Sequence, residues 1–326
     1  MSGALRAIEP GPHVTLQDAG RRGWRRFGVT GSGAMDLRAL VAANALVGNP
    51  PDTAALEFAH VGGTWEIAVE ACRIAVTGGD FAVSADGIVL ATWQSHTLSR
   101  GQLLSIRGAP DAVWGYLAVA QGFAVTPQLG SLSTLLRFGL GGIGGRCIAA
   151  GDELPLRATK VPEGREHRMA TPARAGGGLR VVLGPQDDFF APEAIAAFLA
   201  ASWRVTHRGD RMGMWLDGPT IAHAKGYDLV SDGLVAGCIQ VPGAGQPVVL
   251  LMDCQTTGGY PKLATIITAD LARLAQSRAG TVVTFAAVDI DMAQRLYRAH
   301  HAALADIARS LEVVAEPRVR PFWLLA

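Results

Sequence analysis

The chain has 326 residues, enough for two domains or one large β architecture. Hydrophobic residues make up 49% of it and charged residues 17%, which excludes an intrinsically disordered chain. The formal net charge of +1 argues against nucleic-acid or membrane-surface binding, where an excess of basic residues would supply the affinity. The sequence contains neither an apolar run of transmembrane length nor a secretory signal, so we expect a cytoplasmic protein.

Several common catalytic motifs are absent from the sequence. There is no GxSxG elbow, no HExxH, no GxGxxG after a strand and no P-loop GxxxxGK[ST]. The four cysteines (Cys72, Cys147, Cys238 and Cys254) are far apart and lack the close pairs typical of zinc sites. We therefore expect reduced thiols and predict no protein metal site.

Short apolar runs bounded by Gly, Asp and Pro turns predict β-strands along the whole chain. The clearest runs lie at residues 73–77, 87–91, 103–106, 114–120, 179–183 and 248–252. Their close spacing favours antiparallel sheets or barrels over βαβ units. Helices are fewer, and apolar periodicity with boundary residues predicts them at residues 35–47, 192–201, 263–276 and 289–311. The predicted class is mainly β with a few helices.

A polar stretch near the middle of the chain predicts two domains. It carries two prolines and ends in three glycines, as linkers often do. We place the linker at residues 161–178, between an N-terminal domain of residues 1–160 and a C-terminal domain of residues 179–326 that ends in the terminal helix.

The first candidate site is the glycine-rich segment at residues 15–36, which contains Gln17, Asp18, Arg21 and Asp36. Glycine lets the backbone approach a ligand closely, and arginine binds carboxylate or phosphate with two parallel hydrogen bonds. The alternative is a solvent-exposed arginine-rich loop in which the two aspartates cap turns or the following helix.

Glu57 is the second candidate, because it lies inside an apolar strand-like run. An unpaired carboxylate would be costly there, so Glu57 needs a partner. Arg21 and Arg25 are the candidate partners. The side chain is then either half of a buried structural pair or a catalytic acid.

The third candidate is the stretch at residues 232–262, in which polar groups flank the apolar run at 248–252. Consecutive glycines can present backbone N–H groups to an anion, and a lysine adds positive charge. We predict a site for a carboxylate, a carboxyl group in transfer or a phosphate. A β-turn that satisfies its own backbone is the alternative. The candidate residues are Gln240, Gln255, Thr256, Thr257, Gly258, Gly259, Tyr260 and Lys262.

With these segments, the chain resembles the KipA or allophanate-hydrolase-subunit-2 family, which is biotin-dependent carboxyltransferase-like. The resemblance runs from residue 15 to residue 280 and implies two cyclophilin-like β-barrel domains. At Met214 and Trp215 the family commonly has an aromatic residue and then an arginine, so a different specificity is expected here. The similar strings are TLQDAGRRGW, GVTGSGAMD, NALVGNPPDTAALEF, GDRMG, SDGLVAGCIQVPGAGQPVVLLMDCQTTGGYPK and ADLARLAQSRAG.

The resemblance implies a subunit of an ATP-dependent 5-oxoprolinase, which opens 5-oxo-L-proline to L-glutamate. The implied partners are two further subunits of that enzyme, one KipI-like and the other LamB/YcsF-like. ATP, with magnesium, would bind at a site that the sequence does not identify. The small amide substrate would contact Gln17, Arg21 and the residues 240–260 named above. The candidate catalytic residues are Asp18, Asp36, Glu57 and Lys262.

Two other functions fit the same resemblance. The chain could be the carboxyltransferase subunit of a urea-carboxylase-like enzyme, with biotin on another polypeptide because no Ala-Met-Lys-Met sequence occurs here. It could also be a KipA-like regulatory protein that binds a KipI-like kinase inhibitor and has no catalytic role.

Overall fold

Two antiparallel sheets pack face to face in the first half of the chain. The computed structural model describes residues 3–314 except residues 162 and 174. The strands of this half are β1 (Ala4–Pro10), β2 (Val14–Gln17), β3 (Ala55–Ala59), β4 (Gly63–Ala68), β5 (Ala71–Thr77), β6 (Val83–Ala85), β7 (Ile88–Leu90), β8 (Ser95–Ser99), β9 (Leu103–Ile106), β10 (Trp114–Val119) and β11 (Glu153–Pro155). One sheet has the order β11-β1-β4-β9-β6-β7 and the other β2-β3-β10-β5-β8.

The burial patterns of the strands follow from their places in these sheets. In β4 buried and half-buried side chains alternate, as expected for a strand with its core on one face. The central strand β10 is buried throughout. Its Leu117 and Val119 face the core between the sheets, whereas Tyr116 and Ala118 pack with the first helix. That helix, α1 (Leu37–Leu46), therefore covers the outer face of the second sheet.

An eight-stranded sheet forms most of the second half of the chain, which also contains two short two-stranded sheets. The remaining strands are β12 (His167–Arg168), β13 (Leu179–Leu183), β14 (Trp203–Gly209), β15 (Gly213–Asp217), β16 (Asp232–Gly233), β17 (Cys238–Gln240), β18 (Val248–Leu250), β19 (Thr257–Gly258), β20 (Lys262–Ile266), β21 (Val282–Val283), β22 (Phe285–Ala287) and β23 (Glu312–Val313). The sheet order is β21-β14-β15-β18-β17-β20-β13-β22. Its two edge strands are separated in sequence by Thr284 alone, so the sheet is a nearly closed barrel.

Three helices belong to the second half, and the last of them leads the chain back to the first half. They are α2 (Pro192–Ala200), α3 (Thr268–Ala275) and α4 (Ile290–Asp306), with 3-10 turns at Arg25–Phe27, Leu136–Phe138, Asp187–Phe189 and Ile307–Ser310. After α4, Ile307 is buried in the same apolar cluster as Leu40 and Leu46 of α1. The end of the described chain therefore packs on the first half.

The structure confirms the predicted class, mainly β with a few helices. The predicted helix at 263–276 is correct only in its second part, because Lys262–Ile266 is a barrel strand that pairs with both β13 and β17. The division into domains at 1–160, 161–178 and 179–326 stays a prediction, and its ends at residues 1–2 and 315–326 lie outside the described residues. All four cysteines are free thiols. Within the described ranges, no helix combines the length and apolar character needed to cross a membrane.

Candidate functional site

A buried ion network joins the two halves of the chain at Arg211, in the turn between β14 and β15. Its guanidinium pairs with Glu57 Oε1, and its Nε lies 2.8 Å from Asp253 Oδ2. It also donates to the carbonyl of Gly33 at 2.6 Å. Burial alone would lower the pKa of Arg211, but the two carboxylates outweigh that effect and raise it above its ordinary value. Arg211 therefore stays charged although its side chain is only 3% exposed.

Glu57 is held on its second oxygen as well. Oε2 accepts from the Tyr116 hydroxyl at 2.7 Å and from the Met35 N–H at 2.8 Å. Burial raises the pKa of Glu57, while Arg211 and these two donors oppose the increase. With both oxygens occupied, the geometry favours the interpretation of Glu57 as half of a structural pair. Its catalytic role stays a prediction.

The predicted pairing of Glu57 with Arg21 or Arg25 is wrong. Both arginines donate to backbone carbonyls instead, because Arg21 lies on a loop and Arg25 on a 3-10 turn, and both segments pack against other loops. Arg21 is buried against the carbonyls of Gln128 and Ser133, and Arg25 donates to those of Leu234 and Gln255.

The carboxylates of the first candidate segment also have structural partners. Asp18 accepts from the Gly20 and Leu132 N–H groups and from the hydroxyls of Ser131 and Ser133. The neighbouring Gln17 is fully buried and donates to Thr15 Oγ1 and to the Thr134 carbonyl, both at 3.0 Å. These contacts fix the loop around residue 132 on β2. The bond from the Gly20 N–H to Asp18 caps a turn, as the structural alternative for this segment predicts, but Arg21 is buried and not solvent-exposed.

Gln276 is a second bridge between the halves, and no pattern in the sequence indicates it. Its Oε1 accepts from the N–H groups of Val113 (3.0 Å) and Trp114 (2.9 Å). Its Nε2 donates to the Trp114 carbonyl at 2.9 Å and to Asp36 Oδ2 at 3.1 Å. Asp36 also caps α1 through the Ala39 N–H. The candidate residue Asp36 is thus placed at this junction.

An open groove of about 380 Å³ lies beside the Arg211 network, and we call it the amide groove. The lining residues are Asp210, Met212, Gly213, Trp215, Gln240, Pro242, Val248, Leu250, Gln255 and Tyr260. Three of them, Gln240, Gln255 and Tyr260, are predicted site residues. Asp210, Met212 and Gly213 belong to the GDRMG string at residues 209–213, which is part of the family resemblance, and Trp215 is one of the two positions that depart from it.

Polar groups in the amide groove retain hydrogen-bonding capacity. Gln240 Nε2 donates to the Tyr260 carbonyl at 3.2 Å, and Asp210 Oδ1 accepts from the Met212 N–H at 2.7 Å. Within the described part of the chain, Gln240 Oε1, Asp210 Oδ2 and the side-chain amide of Gln255 have no partner. A side-chain amide offers both a donor and an acceptor, so the groove can bind a small amide between its apolar walls.

The remaining predicted residues lie outside the lining of this groove. Thr257 and Gly258 form β19, which pairs with β16, and Gly259 accepts from the Leu229 N–H. Thr256 accepts from the Leu234 N–H. These backbone groups therefore hold a two-stranded ribbon against the barrel.

Lys262 anchors the same ribbon. Its side chain is 3% exposed, and Nζ lies 2.5 Å from Asp232 Oδ2. It also donates to the Gly233 carbonyl at 2.7 Å. The lysine lowers the pKa of Asp232 from 3.8 to about 2, helped by the Gly233 N–H. This geometry favours an anchoring role, and the catalytic role of Lys262 stays a prediction.

The residues present do not supply an evident metal centre. Over residues 3–314, leaving out 162 and 174, no group of three or more His, Cys, Asp or Glu side chains could hold a metal ion. What the site supplies is hydrogen bonding from side-chain amides and one carboxylate oxygen.

The structure is thus a barrel joined to a two-sheet half by buried bridges, with a polar groove beside the junction. The chain belongs to the family described as carboxyltransferase domain, subdomain A and B, which matches residues 27–287. The family resemblance stated above is confirmed.

Two curated relatives match nearly the full length of the chain, and both are the C subunit of a 5-oxoprolinase. The protein from Escherichia coli is 36% identical over 289 residues, which cover 89% of this chain and 93% of that protein. The protein from Haemophilus influenzae is 35% identical over 299 residues, covering 92% of this chain and 96% of that protein. Among solved structures, Kluyveromyces lactis urea carboxylase is similar with a TM-score of 0.86 and 25% identity. The match covers 98% of this chain and 31% of that one.

Proposed function

We propose that this chain is a subunit of an ATP-dependent 5-oxoprolinase, which opens 5-oxo-L-proline to L-glutamate together with partner subunits. The observation that carries the proposal is the amide groove, where two side-chain amides and a carboxylate oxygen lie among apolar walls. The match to two relatives named as the C subunit of 5-oxoprolinase, over nearly their full lengths, supports it.

In this proposal the groove binds the lactam by complementary hydrogen bonds. The Gln255 amide N–H donates to the lactam oxygen, and Gln240 Oε1 accepts from the lactam N–H. A preorganised donor at the carbonyl oxygen also fixes the orientation of the ring for the reaction at that oxygen. Asp210, whose Oδ2 is free, is the candidate to orient the water that attacks the ring carbon.

The substrate also carries a carboxylate, which needs a cation. Trp215 stands where the family commonly has an arginine, and it lines the groove. Arg208 lies over the Trp215 ring, 4.2 Å from its centroid. We therefore propose that Arg208 supplies, from the neighbouring strand, the positive charge that binds the substrate carboxylate.

The ATP-dependent step is assigned to the assembled complex. An amide is a poor electrophile, and transfer of the γ-phosphoryl group of ATP to its oxygen, with ADP leaving, makes the ring carbon more reactive. Water then adds to that carbon, the C–N bond breaks as the nitrogen takes up a proton, and the acyl phosphate that results is hydrolysed to L-glutamate and phosphate. The chain has no P-loop, so we propose that ATP and magnesium bind either at a site of another kind in this chain or on a partner subunit. The proposed partners are the KipI-like and LamB/YcsF-like subunits, in the cytoplasm.

The test is turnover by the reconstituted complex. The chain is combined with the two partner proteins, and ATP hydrolysis and L-glutamate formation are measured with 5-oxo-L-proline. Gln255→Ala should lower kcat/KM by about tenfold or more, since a lost hydrogen bond to a reacting group costs roughly 1.5 kcal/mol or more. Gln294→Ala, on the exposed face of α4, is the matched control and should keep wild-type turnover. Wild-type turnover by Gln255→Ala would reject the groove as the site.

The urea-carboxylase-like alternative has one specific observation in its favour, the match to K. lactis urea carboxylase with a TM-score of 0.86. Under this alternative the same groove would hold the acceptor amide while biotin, on another polypeptide, supplies the carboxyl group. Turnover that requires a biotin-carrying partner and urea, and that avidin blocks, would support it. Binding of a KipI-like protein without any turnover would instead favour the regulatory alternative.

A further inference from the structure

A second cleft, of about 180 Å³, opens where α1, α3 and α4 meet. We call it the arginine cleft. It shares no lining residue with the amide groove. The polar side chains that line it are Asp36, Arg38, Trp93, Arg180, Asp270, Arg273, Gln276 and His300.

The carboxylates of the arginine cleft are already engaged. Asp270 forms a two-point ion pair with Arg180, with distances of 2.8 Å from Nε and 2.6 Å from Nη2, and also pairs with Arg273 at 3.3 Å. Asp36 accepts from the Ala39 N–H and from Gln276 Nε2, both at 3.1 Å. The acidic side chains therefore neutralise neighbouring donors and leave little capacity to bind a cation.

Donors, in contrast, are in surplus. The guanidinium of Arg38, an exposed residue at the edge of the cleft, forms no hydrogen bond or ion pair with any described residue, although it can donate five times. Arg38 is the second residue of α1, where the helix dipole disfavours a cation unless an anion is close. The indole N–H of Trp93, a residue only 5% exposed, likewise has no partner in the described chain.

The backbone of Trp93 adds an independent observation. Its φ of +58° lies in the left-handed region, which is costly for a bulky side chain. The conformation is held by hydrogen bonds from the Trp93 N–H to the Val76 carbonyl and from the Met169 N–H to the Trp93 carbonyl, both 2.9 Å long. A residue held in a strained conformation beside a cleft with surplus donors is a candidate ligand contact.

We propose that the arginine cleft binds a small oxyanion, a carboxylate or a phosphate, through the guanidinium of Arg38 with a contribution from the Trp93 indole. The charge balance fits an anion, because three arginines face two aspartates. Burial lowers the pKa of His300, so its ring adds no charge near neutral pH. A volume of about 180 Å³ is below the range of roughly 300 to 1,000 Å³ for drug-sized ligands, so a nucleotide is excluded and a small ion is not.

The test is calorimetric titration of the full chain with inorganic phosphate and, separately, acetate, at constant ionic strength with chloride as the balancing anion. Saturable binding in the millimolar range is expected for at least one of them. Tighter binding of phosphate or of acetate shows which of the two chemical groups the cleft prefers. Arg38→Gln should weaken binding by about tenfold or more, because a charge-assisted hydrogen bond is lost. Trp93→Phe, which keeps the ring and removes the N–H, should weaken it by a smaller factor.

Arg100→Gln is the matched control, because it removes the same charge from an exposed turn between β8 and β9, and it should bind as the wild type does. Failure of both phosphate and acetate to bind above the chloride background would overturn the proposal. Equal affinities for Arg38→Gln and Arg100→Gln would also overturn it. The measurement uses neither partner proteins nor turnover, so its outcome is independent of the proposed function.

Discussion

Arg211, in the turn after β14, pairs with Glu57 on β3, so one guanidinium connects the barrel to the two-sheet half. The same guanidinium contacts Asp253, which follows β18. Two carboxylates and one arginine, each less than a tenth exposed, thus form a compact charged junction. Because one guanidinium pairs with both carboxylates, its removal should leave a buried carboxylate without its cation in each half.

Replacing Arg211 with methionine should destabilise the chain strongly. The substitution keeps apolar bulk but leaves Glu57 and Asp253 buried without their cation, which costs about 3–5 kcal/mol for a typical buried pair. The free energy of unfolding from urea denaturation measures the effect. Arg100→Met, at an exposed turn, is the control, and a loss of similar size in both variants would contradict the prediction.

Gln276→Leu should lower the free energy of unfolding by at least about 2 kcal/mol, because buried backbone partners lose their hydrogen bonds. The N–H groups of Val113 and Trp114 and the Trp114 carbonyl would be left unpaired. Chemical denaturation monitored by tryptophan fluorescence is suitable. The comparison variant is Gln294→Leu on α4, which should unfold within a few tenths of a kcal/mol of the wild type. Equal stability of the two variants would show that Gln276 is not a bridge.

The pair of Asp232 and Lys262 predicts a defined pH dependence. The folded-state pKa of Asp232 is about 2, below its ordinary 3.8, so the ionised carboxylate stabilises the fold above pH 3.8. This contribution is lost as the pH falls from 3.8 towards 2. Asp232→Asn should therefore lower the thermal midpoint at neutral pH, and its difference from the wild type should disappear near pH 2.

A matched control for that series is Asp188→Asn, which breaks the exposed pair with Lys225. Exposed ion pairs contribute little, so the midpoint of this variant should follow the wild type at every pH. A difference between Asp232→Asn and the wild type that stayed constant with pH would mean that the carboxylate charge is not what stabilises the ribbon.

Two substitutions of Asp210 should distinguish its role in holding the turn from a role in the reaction. Its Oδ1 accepts from the N–H groups of Met212 and Gly213, and an asparagine can make the same contacts. Asp210→Asn should therefore keep the wild-type unfolding free energy, whereas Asp210→Ala should lose about 1 kcal/mol. In the reconstituted complex both variants should lose turnover, because both remove the free carboxylate oxygen. Full turnover by Asp210→Asn would limit Asp210 to holding the turn.

The local signals in the sequence located most of the regular structure. β10 and β18 are unbroken apolar runs between turn residues, and both are strands. The segment at 263–266, predicted as the start of a helix, is part of a strand instead. Its apolar residues are buried in the barrel between two neighbouring strands. When a short buried strand is followed at once by a helix, the spacing of apolar residues does not show where the strand ends and the helix begins.

The long-range partners of the site could not be derived in the same way. The sequence indicated that Glu57 needs a cation, but its partner is 154 residues away, among many arginines. Gln276 lies at the end of α3, where a polar residue normally faces solvent, and nothing local signals that it is buried. The amide groove was found in part because Gln240 and Gln255 flank an apolar strand. Asp210 and Trp215 join them only through the folding of the barrel.

The pairing of β12 with β23 has a consequence for the modular use of this chain. His167 lies opposite Val313, and Arg168 lies opposite Glu312, so the stretch between them starts and finishes at one place on the surface. A segment whose two ends lie close together can be inserted into a longer polypeptide without distorting the protein that receives it. The same closeness makes the ends of the stretch 167–313 suitable points for fusing other proteins to it, or for circularly permuting it.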